Sequence, residues 1–332
     1  MKPKDGFGAL LQTFFTDRLI QQQSASTHTI ASYRDTFRLL AAYLEQHLKK
    51  APTSLTIADL DAPTILGFLG NLERERGNSP RTRNCRLAAI HAFFAFVSRQ
   101  EPALGGIAQR ILAIQGKRYG KRTIDYLTRP EIEALLNAPV TTTWLGLRDR
   151  TMLLVALETG LRVSELTGLL CEDFVPGTGA HVTCRGKGRK SRCVPIRRET
   201  EAELRRWLKA RRGNPSDILF PGVRGGALSR DGVQYALSKH LKTARLKCAS
   251  LIRKRVTPHV LRHSTAMHLL ESGVDCSVIA LWLGHETMET TQIYLHASLE
   301  MKERALAKTQ PLSSRMKRYR PPDALLAFLN SL

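Results

Sequence analysis

The chain contains no apolar run near the ~20 residues that would span a bilayer, and its opening stretch, MKPKDGFGALLQTFF, lacks a secretory signal's apolar core and cleavage site. A cytoplasmic protein with no membrane partner is the expectation. Six cysteines (Cys85, Cys171, Cys184, Cys193, Cys248 and Cys276) are scattered with no CxxC pair, which argues against a zinc ribbon or a disulfide framework. Such thiols suit a reducing compartment. Gly186-Lys187-Gly188 is too short for a Walker-type phosphate loop, so nucleotide-driven chemistry is not indicated. Internal repeats and low-complexity segments are also missing.

Acidic residues are the other shortage. Of 332 residues, 51 are Lys or Arg and 29 are Asp or Glu, a net charge of +22. The excess is uneven: residues 1–115 hold 14 basic against 9 acidic side chains, and residues 116–332 hold 37 against 20. Such an excess attracts polyanions. With no basic amphipathic anchor or lipidation motif in the chain, nucleic acid is the leading partner.

The hydrophobic pattern predicts two domains. Ile30, Tyr33, Phe37, Leu40, Leu44 and Leu48 recur every three or four residues and mark one helix face. Asp61 can cap a helix through Phe68 and Leu72, and Ser79-Pro80 opens another through Leu87, Ile90, Phe93 and Phe94. Residues 1–115 therefore read as a small bundle of three or four helices, and the basic, glycine-containing segment 116–124 as a linker. Thr128 and Glu131 make a capping box around Pro130 at the start of a second domain, 125–310. Helical patterns fall at 146–158, 163–170, 199–212, 229–247, 258–272 and 276–283. Between them, 180–184 and 191–196 have strand composition and flank the turn RGKGRK, a β-hairpin signal. A basic tail, 311–332, carries RMKRYRPP and a last apolar helix candidate, DALLAFLNSL. The fold class is mainly α with a small β-sheet.

Four segments could carry chemistry. In TGLRVSEL, Arg162 and Glu165 are spaced as an i,i+3 pair, which by itself reads as a surface ion pair. RGKGRKSR, residues 185–192, is either a solvated basic turn that discourages edge pairing or a phosphate-contacting loop. In TPHVLRHSTAMH, Thr257 caps and Pro258 takes the first helical position. His259 and Arg262 then share one face of the first turn, a place suited to an anion. His259-x3-His263 has metal-pair spacing but lacks the HExxH glutamate and any nearby sulfur or acidic ligand. His263 and His268 read as packing or hydrogen-bonding residues. Finally, LGHETMETTQIYLH places His285 after a helix-ending glycine and Tyr294 nine residues later, between Ile293 and Leu295.

Together these segments resemble the tyrosine recombinase (phage integrase) family, especially its Xer-like branch. The family pattern is an arginine in a GLR-hydrophobic-SEL context, a hairpin lysine, HxxR, and an LGH histidine with a tyrosine nine residues on. Arg162, Lys187, His259, Arg262, His285 and Tyr294 occupy those positions in order, and the likeness covers essentially the whole chain. It implies a SAM-like helical DNA-binding bundle followed by a mixed α/β catalytic domain. It also implies metal-independent strand cleavage and rejoining through a 3′-phosphotyrosine, with no cofactor.

The implied roles are Tyr294 as nucleophile, Arg162 and Arg262 on the phosphate, and Lys187 as general acid, with Arg189 and Lys190 as competitors in the same turn. His259 would shuttle the tyrosine proton, His285 would hydrogen-bond the phosphate, and Glu165 would orient His259. Arg81, Arg83, Arg86, Arg189 and Lys190 would contact DNA. Two protomers on a core site of double-stranded DNA and four in a synapse also follow from the resemblance. The apolar face of the last helix, after a Pro-Pro break, predicts that it docks in trans on a neighbouring subunit. The tail leans towards a mobile-element recombinase. A non-cleaving accessory protein of the same fold, and a type IB-like topoisomerase or telomere resolvase, are the other readings.

Overall fold

The computed structural model describes residues 6–120, 124–186, 191–285, 290–291 and 294. The chain forms two compact units, divided between residues 121 and 122.

The first unit is helical. α1 runs Phe7–Thr13 as α-helix and continues over Phe14–Gln22 with the wider π turn. α2 is Thr27–Leu48, α3 Ala62–Arg74, α4 Pro80–Gln100 and α5 Gly105–Leu112. The caps are where the sequence placed them: Asp61 accepts from the Thr64 amide, and Ser79 accepts from the Thr82 amide ahead of Pro80. On α2 the apolar stripe turns inward through Phe37, Leu40 and Leu44, with Tyr33 and Leu48 packed at its edge. Phe7, Phe14, Phe37 and Phe93 meet with ring centroids 5.2–6.4 Å apart. Such side chains contribute roughly 1.5–3 kcal/mol each on burial.

α1 was not anticipated. Its N-cap, Gly6, supplies no side-chain hydrogen bond, and its π geometry departs from the 3.6-residue period. The segment after α5 is tied back onto the bundle. Asn84 donates to the Lys117 carbonyl (2.8 Å) and accepts from its amide (3.0 Å), while Lys117 Nζ reaches Glu73 at 2.8 Å.

The second unit contains α6 (Arg129–Leu136), α7 (Trp144–Thr159), α8 (Val163–Thr167), β1 (Phe174–Val175), β2 (His181–Arg185), β3 (Ser191–Pro195), α9 (Arg198–Arg211), α10 (Arg230–Lys247), α11 (Pro258–Glu271) and α12 (Cys276–Leu283). The strands form an antiparallel sheet in the order β1-β2-β3, with Thr183 opposite Cys193 and Arg185 opposite Ser191. β1 was missed because two residues carry no readable alternation. α8 ends at Thr167, with Gly168 as its C-cap, short of the expected 170. The Thr128–Glu131 box forms: the Glu131 carboxylate accepts from the Thr128 amide at 2.8 Å.

α11 is central to this unit. One side of it joins the main core, which includes Trp207, Phe220, Val260 and Leu261. The other side packs Ala266, Met267 and Leu270 against Ile279, Leu283 and Tyr294. α12 is thereby held against α11 with its C-terminus beside the start of α8. Among the described residues, no helix is long and apolar enough to cross a membrane.

Candidate active site

The site is assembled around the C-terminal end of α12. The last carbonyls of a helix have no intrahelical partner, and they carry its negative dipole end. Here each one is assigned. Gly284, in the left-handed conformation (φ 62°), ends the helix, and the backbone turns so that the His285 amide bonds the Ala280 carbonyl at 2.9 Å and the Gly284 amide bonds that of Leu281 at 3.1 Å. The next three carbonyls accept from three arginines of three different elements. Arg192 Nε donates to Trp282 (3.0 Å), Arg262 Nη2 to Leu283 (2.7 Å), and Arg162 Nη2 to Gly284 (2.9 Å).

Glu165 joins the same arginines from the other side. Oε1 accepts from Arg162 Nη1 (3.0 Å) and Arg192 Nη1 (3.1 Å), and Oε2 from the Arg162 amide (2.8 Å) and Arg192 Nη2 (2.9 Å). Arg262 Nη1 is 4.0 Å from the carboxylate and donates to the Gly160 carbonyl at 2.7 Å. Burial pushes the Glu165 carboxyl up, but the hydrogen bonds from Arg192 and the Arg162 amide outweigh it and hold the group below its ordinary value. This is not a surface ion pair: the Glu165 side chain is 4% exposed. Where the sequence reading had Glu165 orienting His259, the structure has it engaged with arginines.

Arg262, with a side chain 3% exposed, is brought down to about 10 by burial and then by the neighbouring Arg162 charge. It stays a cation at neutral pH. Arg162 is more open, with 35% of its side chain exposed. Each guanidinium has five N–H donors and commits only two atoms to the contacts above, so both keep donors for an anion.

His285 follows directly after this turn, and its Nδ1 lies 2.7 Å from Thr291 Oγ1. Its ring stacks near the Tyr294 ring, with centroids 6.3 Å apart and planes 13° apart. The Tyr294 oxygen is 2.9 Å from Nδ1 of His263, and the His263 ring meets that of His259 edge-on at 4.8 Å. His259 is exposed, whereas Tyr294 is covered at 1% exposure. Burial pushes the phenol up, with Arg262 and Arg162 pulling the other way. His263 is lowered to about 4, by burial, then by His259 and Arg262. His285 is lowered to about 4 by burial and then by the Arg262 and Arg162 charges. Both imidazoles are therefore neutral at pH 7.

Five of the six pattern residues thus lie within one unit, although Arg162 and Tyr294 are 132 positions apart. Arg162, Arg262 and His285 meet at the turn, Tyr294 lies against His285, and His259 lies against His263. Lys187, Arg189 and Lys190 fall outside the described residues, as do Ile293, Leu295 and the tail. In the helical unit, Arg81 is exposed. Arg83 is buried, with Nε 3.7 Å from Glu73, and Arg86 bridges to α2 through the Ser32 carbonyl and Thr36 Oγ1, both at 3.1 Å. Two side chains that the sequence left unassigned prove central. Arg192 had been one of five basic residues in a turn, and His263 a packing or hydrogen-bonding residue with no partner named. Neither had a local signal, because both acquire their partners from other elements.

Sequence comparison gives the family. Residues 125–301 match the phage integrase family, and residues 13–101 match the N-terminal SAM-like domain of phage integrases. The chain belongs to the phage integrase family, and it is a tyrosine-type site-specific recombinase. A putative integrase/recombinase of Sinorhizobium fredii is 54% identical over 323 residues, 97% of each chain. The tyrosine recombinase XerD of Pseudomonas aeruginosa is 34% identical over 288 residues, covering 85% of this chain and 91% of that protein. Among solved structures, the XerH site-specific recombinase bound to palindromic difH substrate shares the fold, with a TM-score of 0.69 at 24% identity over 86% of this chain and 81% of that one.

Proposed function

We propose that this recombinase cuts duplex DNA with Tyr294 as nucleophile and Arg162, Arg262 and His285 as the phosphate-binding groups. The observation that carries the reading is the convergence of these four residues at the end of α12: Arg162 and Arg262 bond the carbonyls of Gly284 and Leu283, and His285 and Tyr294 follow along the chain. The Tyr294 oxygen attacks the phosphorus and forms the phosphotyrosine bond as the bond to the 5′-oxygen breaks. The phenolic proton leaves through a histidine, and the departing 5′-oxygen takes up a proton and becomes a hydroxyl. Religation is the reverse with a partner strand, and it draws on the energy retained in the phosphotyrosine.

Guanidiniums suit the charge that builds on the pentacoordinate phosphate, since they are always cationic and fork onto two oxygens. A preorganised donor of this sort is worth roughly 3–4 kcal/mol to the rate. A phenol at its ordinary pKa near 10 is a poor nucleophile, so a base must receive its proton. His263, which is neutral and 2.9 Å from the phenol, takes it and passes it to His259 at the exposed edge. Lys187 is the general acid, with Arg189 and Lys190 beside it in the turn. Because Tyr294 is covered, its phenol turns outward as a phosphate enters.

Residues 1–115 are the core-binding domain, 116–124 the linker, 125–310 the catalytic domain, and 311–332 a tail used between subunits. Double-stranded core sites are held by both domains, and a homo- or hetero-tetramer forms at synapsis. The charged tail fits a mobile-element setting, integration or transposition. The protein acts in the cytoplasm on nucleoid DNA.

The test uses nicked suicide duplexes selected by binding from a randomised pool. The wild-type chain should form an adduct that survives denaturation and EDTA. Tyr294→Phe should abolish it while retaining specific binding. An adduct formed by Tyr294→Phe would overturn the nucleophile; binding without any wild-type adduct would favour the accessory-protein reading.

A further inference from the structure

Arg192 sits on β3, five residues after Lys187, and takes no part in the chemistry described above. It is 14% exposed and makes three hydrogen bonds, two to the oxygens of Glu165 and one to the Trp282 carbonyl. Burial disfavours its charge, but the bond to Glu165 more than compensates and the group is held above its ordinary value. It is therefore a permanent cation, fixed on three sides.

What it touches is informative. Glu165 is the carboxylate that holds Arg162 Nη1, and Trp282 is the first of the three carbonyls that the arginines share. The remaining two carbonyls belong to Arg262 and Arg162, the phosphate-binding pair. Without Arg192, Glu165 would be a buried carboxylate with one fewer cation, free to draw Arg162 towards itself and away from the Gly284 carbonyl. The turn that carries His285 would also lose one of its three side-chain anchors. A second observation fits: a side chain at Gly284 would place its first carbon 2.7 Å from Arg192 Nη1, so the turn closes directly onto this guanidinium.

We propose that Arg192 is a positioning residue for cleavage, which fixes Arg162 through Glu165 and fixes the His285 turn through the Trp282 carbonyl. It touches neither phosphate nor leaving group. The inference rests on the recombinase reading, since it needs a cleavage rate to act on. It explains why a strand that carries one end of the basic turn is clasped to the arginine pair: the hairpin and the phosphate site are registered by one side chain.

The experiment is single-turnover cleavage of a selected suicide duplex by the full chain, with binding by gel shift and melting recorded beside it. Arg192→Met should slow cleavage about 10- to 100-fold, leave the dissociation constant within about threefold, and leave the protein folded at the assay temperature. Arg192→Lys keeps the charge without the fork and should be nearly as slow.

Non-additivity is the discriminating result. Combined with Arg162→Lys, the Arg192→Met defect should shrink, because the part transmitted through Glu165 to Arg162 is already lost and only the part acting on the His285 turn remains. Combined with Lys187→Ala it should multiply. A 5′-phosphorothiolate leaving group, which needs no proton, should relieve Lys187→Ala and leave Arg192→Met slow. Wild-type speed in Arg192→Met, full rescue by lysine, or defects that multiply with Arg162→Lys would each overturn the proposal. Should the wild-type chain give no adduct at all, the recombinase reading itself would fall first.

Discussion

The Tyr294 hydroxyl and Nδ1 of His263 lie 2.9 Å apart, and His263 stands between that phenol and His259. A neutral imidazole in this place can accept the phenolic proton. His263→Phe keeps the ring's bulk and removes the bond. We expect single-turnover cleavage to fall about tenfold, corresponding to a lost hydrogen bond of about 1–1.5 kcal/mol. Stopped-time assays on the suicide duplex measure it. A faster rate would mean that the bond restrains the phenol rather than serving it.

His263 and His285 set an acid limit on stability. His263 and His285 lie near 4 in the folded chain against an ordinary 6.5, because burial and neighbouring cations disfavour their charged forms. Between those values the unfolded chain binds protons that the folded chain refuses, so stability rises with pH across this window. It is complete above about 6.5 and declines as the pH falls towards 4. Carboxylates with lowered values, such as Glu165, add their own loss only below their ordinary 4.5. Melting temperatures taken from pH 7 to pH 5 therefore isolate the histidines. His263→Asn should flatten that slope, with His91, which burial lowers in the other unit, retained in both proteins.

Arg81 and Arg86, both on α4, should separate by function. Arg81 is exposed, whereas Arg86 hydrogen-bonds two groups of α2. Arg81→Ala should weaken DNA binding and reduce the slope of log affinity against log salt by about one, as expected for one phosphate contact. Arg86→Ala should instead lower the stability of the bundle by roughly 1.5–3 kcal/mol, since a charged donor to two acceptors is lost. Salt titrations and denaturant melts of the full chain separate the two effects.

Much of this was readable in advance because the signals were local. Ser79-Pro80, Asp61 and the Thr128–Glu131 box are decided by contacts within four residues, and the structure has all three. The hairpin was marked by composition, and the pattern residues by their resemblance to the recombinase family. What escaped notice depends on distant partners. Arg192 looks like its basic neighbours until Glu165 and the Trp282 carbonyl are brought to it from 27 and 90 positions away. Arg83 looks like a groove contact until Glu73 takes it inside. α1 was hidden for a different reason, since its π turn shifts the apolar period.

Residues 321–332 supply an apolar stripe, Leu325, Leu326, Phe328 and Leu329, after a Pro-Pro break. This stripe is proposed to serve a neighbouring subunit. Its deletion should leave binding to a single half-site unchanged and reduce cooperativity on paired sites, as read by gel shift. Unchanged cooperativity would sink the idea.

Gly284 offers the sharpest test of the turn itself. Its φ of 62° strains any L-residue, at about 1–2 kcal/mol, and that term alone should lower the melting temperature by a few degrees. Gly273 has φ 84° with nothing within 4 Å of an added carbon, so Gly273→Ala measures the backbone term by itself. At Gly284 the added carbon also meets Arg192 Nη1 at 2.7 Å and Cζ at 3.0 Å, and that guanidinium is held by Glu165 and the Trp282 carbonyl. Because it cannot swing clear without breaking those bonds, Gly284→Ala should cost more stability than Gly273→Ala. It should also lose cleavage activity that Gly273→Ala keeps. Equal effects from the two substitutions would mean that the Arg192 contact yields without consequence.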